Sequence, residues 1–208
     1  MRVIAGSLKG RRLKAPSWDG LRPTSDKLRE TLFNIIAPRI VGARVLDGYA
    51  GTGALGIEAL SRGARSVTFV ERDRRAQALI AENLALCGIT DGCAIIRMAI
   101  ARALGTLRDH PAFAPFDIVL FDPPYAPASR ETFESLVAAA TGVITATGVL
   151  ALEHAKRQQA PDTSGPLILS RTVVSGDSAL SFYEVRPTLA CEGLARTQLT
   201  YSGNVRYG

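Results

Sequence analysis

From Arg44 onward the chain alternates short apolar runs with segments of helical length and composition. The runs are ARVLD, SVTFV, AIIRM, DIVLF and GVLALEH, and helices are predicted between them, beginning near Ala54, Asp73, Ala99 and Ser129. Few architectures accept that order. A strand followed by a helix returns the chain to the edge it started from, so successive strands run parallel, and the helices cover both faces of the sheet. The last two runs, PLILSRTVV and SALSFYEV, are joined through the turn sequence VSGDS and should pair antiparallel at one edge. The expected class is α/β.

The first of these strands runs into VLDGYAGTGALGIEAL, which places Asp47 at the strand end and Gly51 and Gly53 in the loop entering a helix. Without side chains, the loop lets a ligand approach its backbone amides, and a helix start favours a partly negative group. Gly51, Gly53 and Gly56 also satisfy GxGxxG, so a nicotinamide or flavin nucleotide fits as well. The second strand ends in VERD. Glu71 is there to accept hydrogen bonds from two ribose hydroxyls, a role common to dinucleotide and S-adenosylmethionine sites.

The fourth strand ends on FDPPY, Phe121 to Tyr125. Two consecutive prolines give up backbone donors and fix their φ angles, leaving a stiff turn with a carboxylate and a ring at the ligand-binding edge of the sheet. An exocyclic amine on a nucleobase is a poor nucleophile because its lone pair is delocalised into the ring. The Asp122 carboxylate and the Pro123 carbonyl can each accept one amine N–H, which localises the pair and aims it at a methyl sulfonium. Pro123 and Pro124 hold those acceptors, and Tyr125 offers a face on which a base stacks.

Ahead of the alternating region, MRVIAGSLKGRRLKAP reads as two short strands around a Gly-containing turn. LRPTSDKLRETLFNIIAP reads as a helix capped by Thr24 or Ser25, with Leu28, Leu32, Ile35 and Ile36 on one face and closed by Pro38. Residues 1 to 44 hold ten basic and three acidic residues, a net +7 against +6 for the whole 208-residue chain. Positive charge localised on an otherwise neutral body is the footprint of a phosphate-backbone partner. The three cysteines form no CxxC pair, and only His110 and His154 could assist them, so neither a disulfide scaffold nor a metal site is expected. Both histidines read as structural or solvated, His154 after the fifth strand. No apolar run approaches the ~20 residues of a membrane span, and MRVIAGSLKG lacks a secretory signal, which leads to the expectation of a cytoplasmic protein with no membrane partner.

In order, MRVIAGSLKGRRL, LRPTSDKLRETLFN, VLDGYAGTGALGIEALSRGA, FVERD, FDIVLFDPPY and VSGDSALSFYEV resemble the motifs of the bacterial small-subunit (16S) rRNA guanine-N2 methyltransferase family, over roughly residues 1 to 186. The resemblance implies a Rossmann-like class I S-adenosylmethionine-dependent methyltransferase fold: a seven-stranded, mostly parallel sheet with an antiparallel edge strand, plus an N-terminal β-hairpin. It implies S-adenosylmethionine as methyl donor, no metal, and methylation of one guanine amine in 16S rRNA within the small ribosomal subunit or its precursor. Ribosomal proteins would be contacted where the substrate is partly assembled, and nothing in the chain demands more than a monomer.

Carried over by motif, the donor site takes Asp47, Tyr49, Ala50, Gly51, Thr52, Gly53, Glu71 and Arg72, and the catalytic group is Asp122, Pro123, Pro124 and Tyr125. The RNA surface takes Lys9, Arg11, Arg12 and Lys14, with Arg22 and Thr24 bordering the cofactor or the target base. Gly48 and Tyr49 replace an apolar pair usual in the family, a change expected to loosen the cofactor loop. Ala99, in the run MAIA, stands where a polar residue often meets the adenine, which would leave adenine to backbone groups. The division expected is an RNA-binding extension over 1–37, the methyltransferase domain over 38–186 and a tail over 187–208 with no assigned role. Adenine-N6 methylation of RNA or DNA, a non-catalytic RNA-binding assembly factor, glutamine-amide methylation and a nicotinamide-dependent oxidoreductase remain as alternatives. The last would leave FDPPY unexplained, and the glutamine family typically has Asn where Asp122 stands.

Overall fold

A computed structural model describes residues 1–18, 25–124 and 133–186. The element order is α1 (Asp26–Ile40), β1 (Arg44–Gly48), α2 (Ala54–Ser61), β2 (Ser66–Val70), α3 (Arg74–Cys87), β3 (Cys93–Ile96), α4 (Ile100–Arg108), β4 (Phe116–Phe121), α5 (Phe133–Ala140), β5 (Ile144–Ala155), β6 (Thr163–Ser164), β7 (Leu167–Ser175) and β8 (Ser178–Val185). All eight strands form one sheet, ordered β3-β2-β1-β4-β5-β8-β7-β6. The first five in that order are parallel, and β8, β7 and β6 continue the sheet antiparallel. The sheet has one strand more than the seven expected because Thr163 and Ser164 pair with the start of β7. β8 is consequently an interior strand, flanked by β5 and β7.

Side chains alternate along the central strands and divide the core in two. Val45, Ile118, Leu120, Val149 and Ala151 pack beneath α1, α2 and α3, while Leu46, Val119, Phe121, Leu150 and Leu152 pack beneath α4 and α5. Strands covered on both faces read as unbroken apolar runs. That is why FDIVLF and RVLDG announce themselves in the sequence.

The helix α1 starts where expected, with the Ser25 hydroxyl accepting from the Leu28 amide, but Pro38 does not close it. The helix carries on to Ile40, which is buried one turn beyond Ile36 on the same apolar face, and burial of that residue outweighs the amide missing at Pro38. A boundary at 37/38 therefore falls inside α1.

The first residues form a hairpin reduced to a single antiparallel bridge, Arg2 to Arg12, with Val3 and Arg11, and Met1 and Leu13, also hydrogen-bonded. Val3 and Leu13 are buried in the same cluster as α1 and the sheet. The extension thus shares one core with the body.

The helix α2 lies so close to β2 that a Cβ at Gly56 would overlap the Phe69 ring and stand 2.8 Å from Val67 Cγ1. Replacing a helical glycine with alanine normally adds up to about 1 kcal/mol of stability. Here Gly56→Ala is expected to cost roughly 1–3 kcal/mol in urea unfolding, because overpacking exceeds the propensity gain. A variant more stable than the parent would show that α2 can back away from the sheet.

Candidate active site

Four parallel strands end level with one another. Gly48 is paired with Val70 on one side and Phe121 on the other, and Val70 with Ile96. The residues that follow, Tyr49, Glu71, Arg97 and Asp122, therefore leave the sheet along one edge. The sheet order reverses between β1 and β4, the place where open α/β sheets form a crevice. The glycine loop leaves from one side of that crevice and Asp122-Pro123-Pro124 from the other.

The loop is held from below by two carboxylates. Asp47 is buried at the end of β1, and its Oδ2 accepts from the Gly56 amide at 2.8 Å. Glu71 caps the turn that follows β2: Oε2 accepts from the Gly51 amide at 2.9 Å, and Oε1 from the Arg72 and Asp73 amides at 2.7 and 2.8 Å. A carboxylate has roughly four lone-pair positions, so Oε2 keeps one acceptor position among these contacts. The amides of Tyr49 and Ala50 both donate to the Val70 carbonyl, which ties the start of the loop to β2. Tyr49 takes a left-handed φ of 69° and turns its ring edge-on to Phe121, centroids 6.2 Å apart.

The space beside Gly48 is filled by its neighbours. A Cβ there would stand 2.7 Å from the Phe121 ring and 2.9 Å from Ile100 Cδ1, so the expected loosening of the loop finds no void behind it.

Asp122 is half-buried, Pro123 buried and Pro124 exposed, while Tyr125 lies outside the described residues. Ala99 is the exposed N-cap of α4 and supplies no side-chain cap, which leaves first-turn amides uncapped at the end of β3. Arg72 is exposed. Of the basic residues singled out in the sequence, Lys9, Arg11, Arg12 and Lys14 are exposed, and Arg22 and Thr24 lie outside the described residues. His154 lies within β5 rather than after it, buried, with Nε2 2.9 Å from the Ser181 hydroxyl, and His110 is exposed. Among the described residues no cluster of three or more His, Cys, Asp or Glu could hold a metal, and no helix is long and apolar enough to cross a membrane.

Sequence inspection missed the residues that join the basic extension to this site. Glu58 on α2, fully buried, accepts from the Ile4 and Ala5 amides at 2.7 and 3.0 Å and pairs with Arg62 at 2.7 Å. Asn83 on α3, also fully buried, donates Nδ2 to the carbonyls of Thr52 (2.9 Å) and Lys14 (3.2 Å), and its Oδ1 accepts from the Lys14 amide at 2.8 Å. One side chain thus touches both the glycine loop and the basic segment. Its only advance signal is a polar residue on the apolar stripe Ala76, Leu79, Ile80, Leu84 and Cys87.

Burial pushes the Asp47 carboxyl up from 3.8 to about 7, against the Gly56 hydrogen bond and with a further push from Glu71. Between those values the folded chain keeps a proton that the unfolded chain has released. Raising pH from about 4 to about 7 therefore weakens folding, by at most ~1.4 kcal/mol per pH unit for one proton, and the effect levels off above the folded value. Asp47→Asn preserves an acceptor for Gly56 and has no proton to lose. Its unfolding free energy should fall less steeply across that window, and the same slope in both proteins would mean that Asp47 is ionised when folded.

The family described as Conserved hypothetical protein 95 matches residues 1–184. Ribosomal RNA small subunit methyltransferase D of Escherichia coli strain K12 is 36% identical over 184 residues, 88% of this chain and 89% of that protein. The solved structure of yhhF from Escherichia coli is 33% identical with a TM-score of 0.76, covering 90% of this chain and 99% of that one. The fold extends to more distant proteins: the structure of SMU.776 complexed with SAH has a TM-score of 0.63 at 14% identity, over 80% of this chain and 52% of that one.

Proposed function

This chain belongs to the family described as Conserved hypothetical protein 95, that of the small-subunit rRNA methyltransferases D, and from that premise we propose that it methylates the exocyclic N2 amine of one guanine in 16S rRNA, on the small ribosomal subunit or its assembly intermediate. One observation carries the reading: the glycine loop with Glu71 and the Asp122-Pro123-Pro124 turn leave neighbouring strands at the same level, on either side of the crevice.

S-adenosylmethionine fits the loop side. Gly51, Thr52 and Gly53 bring backbone close to the ligand, and Glu71 retains an acceptor position for a ribose hydroxyl. When bound, the donor supplies an electrophilic methyl group on a sulfonium. The chain's own task is on the other side. Asp122 and the Pro123 carbonyl accept the two amine N–H groups and turn the nitrogen lone pair out of the base ring. Pro123, buried, keeps that pair of acceptors from swinging apart. Once the new N–C bond has formed, the amine carries one proton too many, and Asp122 is the base within its reach. Tyr125 is assigned to stacking on the base, and Arg22 and Thr24 to the border of the pocket. Lys9, Arg11, Arg12 and Lys14 meet the phosphate backbone.

Radiolabelled methyl should pass from S-adenosylmethionine to unmethylated small subunits and appear as N2-methylguanosine on nucleoside analysis. Label in N6-methyladenosine would keep the amine chemistry and overturn the base. Asp122→Ala should lower the transfer rate by ~100-fold or more while RNA still binds, and unchanged turnover would remove the carboxylate from its assigned role. Changing Arg11 and Arg12 together to Ala should reduce the slope of log affinity against log salt by about 1 to 2. An unaltered slope would take the hairpin out of the RNA surface.

A further inference from the structure

Between the segment Lys14–Trp18 and helix α3 lies a cleft of about 530 Å³ whose lining includes Lys14, Ala15, Trp18, Arg75, Leu79 and Glu82. It opens beside the first turn of α3, a few residues after Glu71, and runs along the helix. Its apolar lining comes from exposed Ala15 and buried Leu79. Its lining includes two planar groups of the kind that stack on nucleobases, an indole and a guanidinium. They already lie against each other, with the Arg75 Cζ over the Trp18 ring 5.0 Å from its centroid, so an incoming base extends this stack from the opposite side of the indole.

The cations at the rim are held by acids, Lys14 by exposed Glu82 at 2.9 Å and Arg75 by half-buried Asp73 through two contacts, Nη2 to Oδ2 at 2.9 Å and Nε to Oδ1 at 3.3 Å. The exposed single-contact pair of Lys14 contributes little, so an incoming phosphate can take that cation at small cost, while Arg75 has guanidinium N–H donors beyond the two that Asp73 takes. Arg72 and Arg74, both exposed, flank the same turn and make no ion pair among the described residues. The outer wall is firm, because Lys14 is hydrogen-bonded through its amide and carbonyl to buried Asn83.

We infer that this cleft binds an unpaired nucleotide of the RNA strand beside the target base, with the base against Trp18 and its phosphates on Lys14 and Arg75. The inference rests on the RNA-methyltransferase reading above and adds to it a second contact point, outside the crevice. An aromatic ring framed by arginine and lysine suits a nucleotide. An acidic peptide would satisfy the cations but leave the indole unused.

Trp18 is the single tryptophan of the chain, so its emission reports on this cleft alone. The probe is a short unstructured RNA oligonucleotide with a terminal label, added to the full chain while tryptophan emission and label anisotropy are followed together. Quenching that saturates with the anisotropy is expected. By anisotropy, Trp18→Ala should bind about ten-fold more weakly, and Trp18→Phe should recover most of that loss. Binding without quenching would overturn the cleft and leave the methyltransferase reading standing. So would transfer to small subunits by a protein that ignores the oligonucleotide. Equal quenching by a glutamate-rich peptide of the same charge would reassign the cleft to general anion binding. No oligonucleotide binding together with no transfer to subunits would overturn both readings.

Discussion

Everything at the candidate site depends on how β1 is seated between β2 and β4. Gly48 is level with Val70 on one side and Phe121 on the other. A slip of one residue at either pairing would send every alternate side chain to the wrong core and separate the loops that follow. The register is enforced by packing, since Leu46, Val119 and Phe121 fill one half of the core while Val45, Ile118 and Leu120 fill the other. Two polar contacts then convert that register into loop geometry. Gly56, lacking a side chain, brings α2 down to β2 and its amide to Asp47, and Glu71 reaches across from β2 to the Gly51 amide.

Attachment of the basic extension follows a different physics. Burying Glu58, Arg29 and Asn83 costs desolvation that only specific partners can offset. Besides Arg62, the partners of Glu58 are the Ile4 and Ala5 amides, those of Asn83 lie on Lys14 and Thr52, and Nη2 of Arg29 donates to the Arg2 carbonyl at 2.6 Å and pairs with Asp26. Apolar contacts of Val3 and Leu13 would hold the segment against the body in several orientations. The polar contacts select one, and so fix where Lys9, Arg11, Arg12 and Lys14 stand relative to the glycine loop.

Strands buried on both faces were legible because burial leaves an unmistakable apolar run, and the glycine loop because a chain without side chains is rare in such a position. The acids Asp47, Glu71 and Asp122 were legible from their place at the ends of those runs. Pro38 misled, since local backbone chemistry predicts a stop there and the burial of Ile40 overrides it. The strand Thr163–Ser164 was invisible because two residues carry no period. Asn83 and Glu58 were hidden for a deeper reason: a polar residue inside a helix declares its partner only when a segment 53 to 69 residues away has been folded against it.

Those separations also carry a meaning in time. A ribosome releases residues 1–14 well before the residues that anchor them, Glu58, Ser61 and Asn83, which emerge dozens of peptide bonds later. Until then the basic segment has nothing to close upon, and long loops of this kind close late in folding. This early-made segment is therefore among the last to take shape. Its cations acquire a fixed arrangement only after α2 and α3, which frame the glycine loop, have been made.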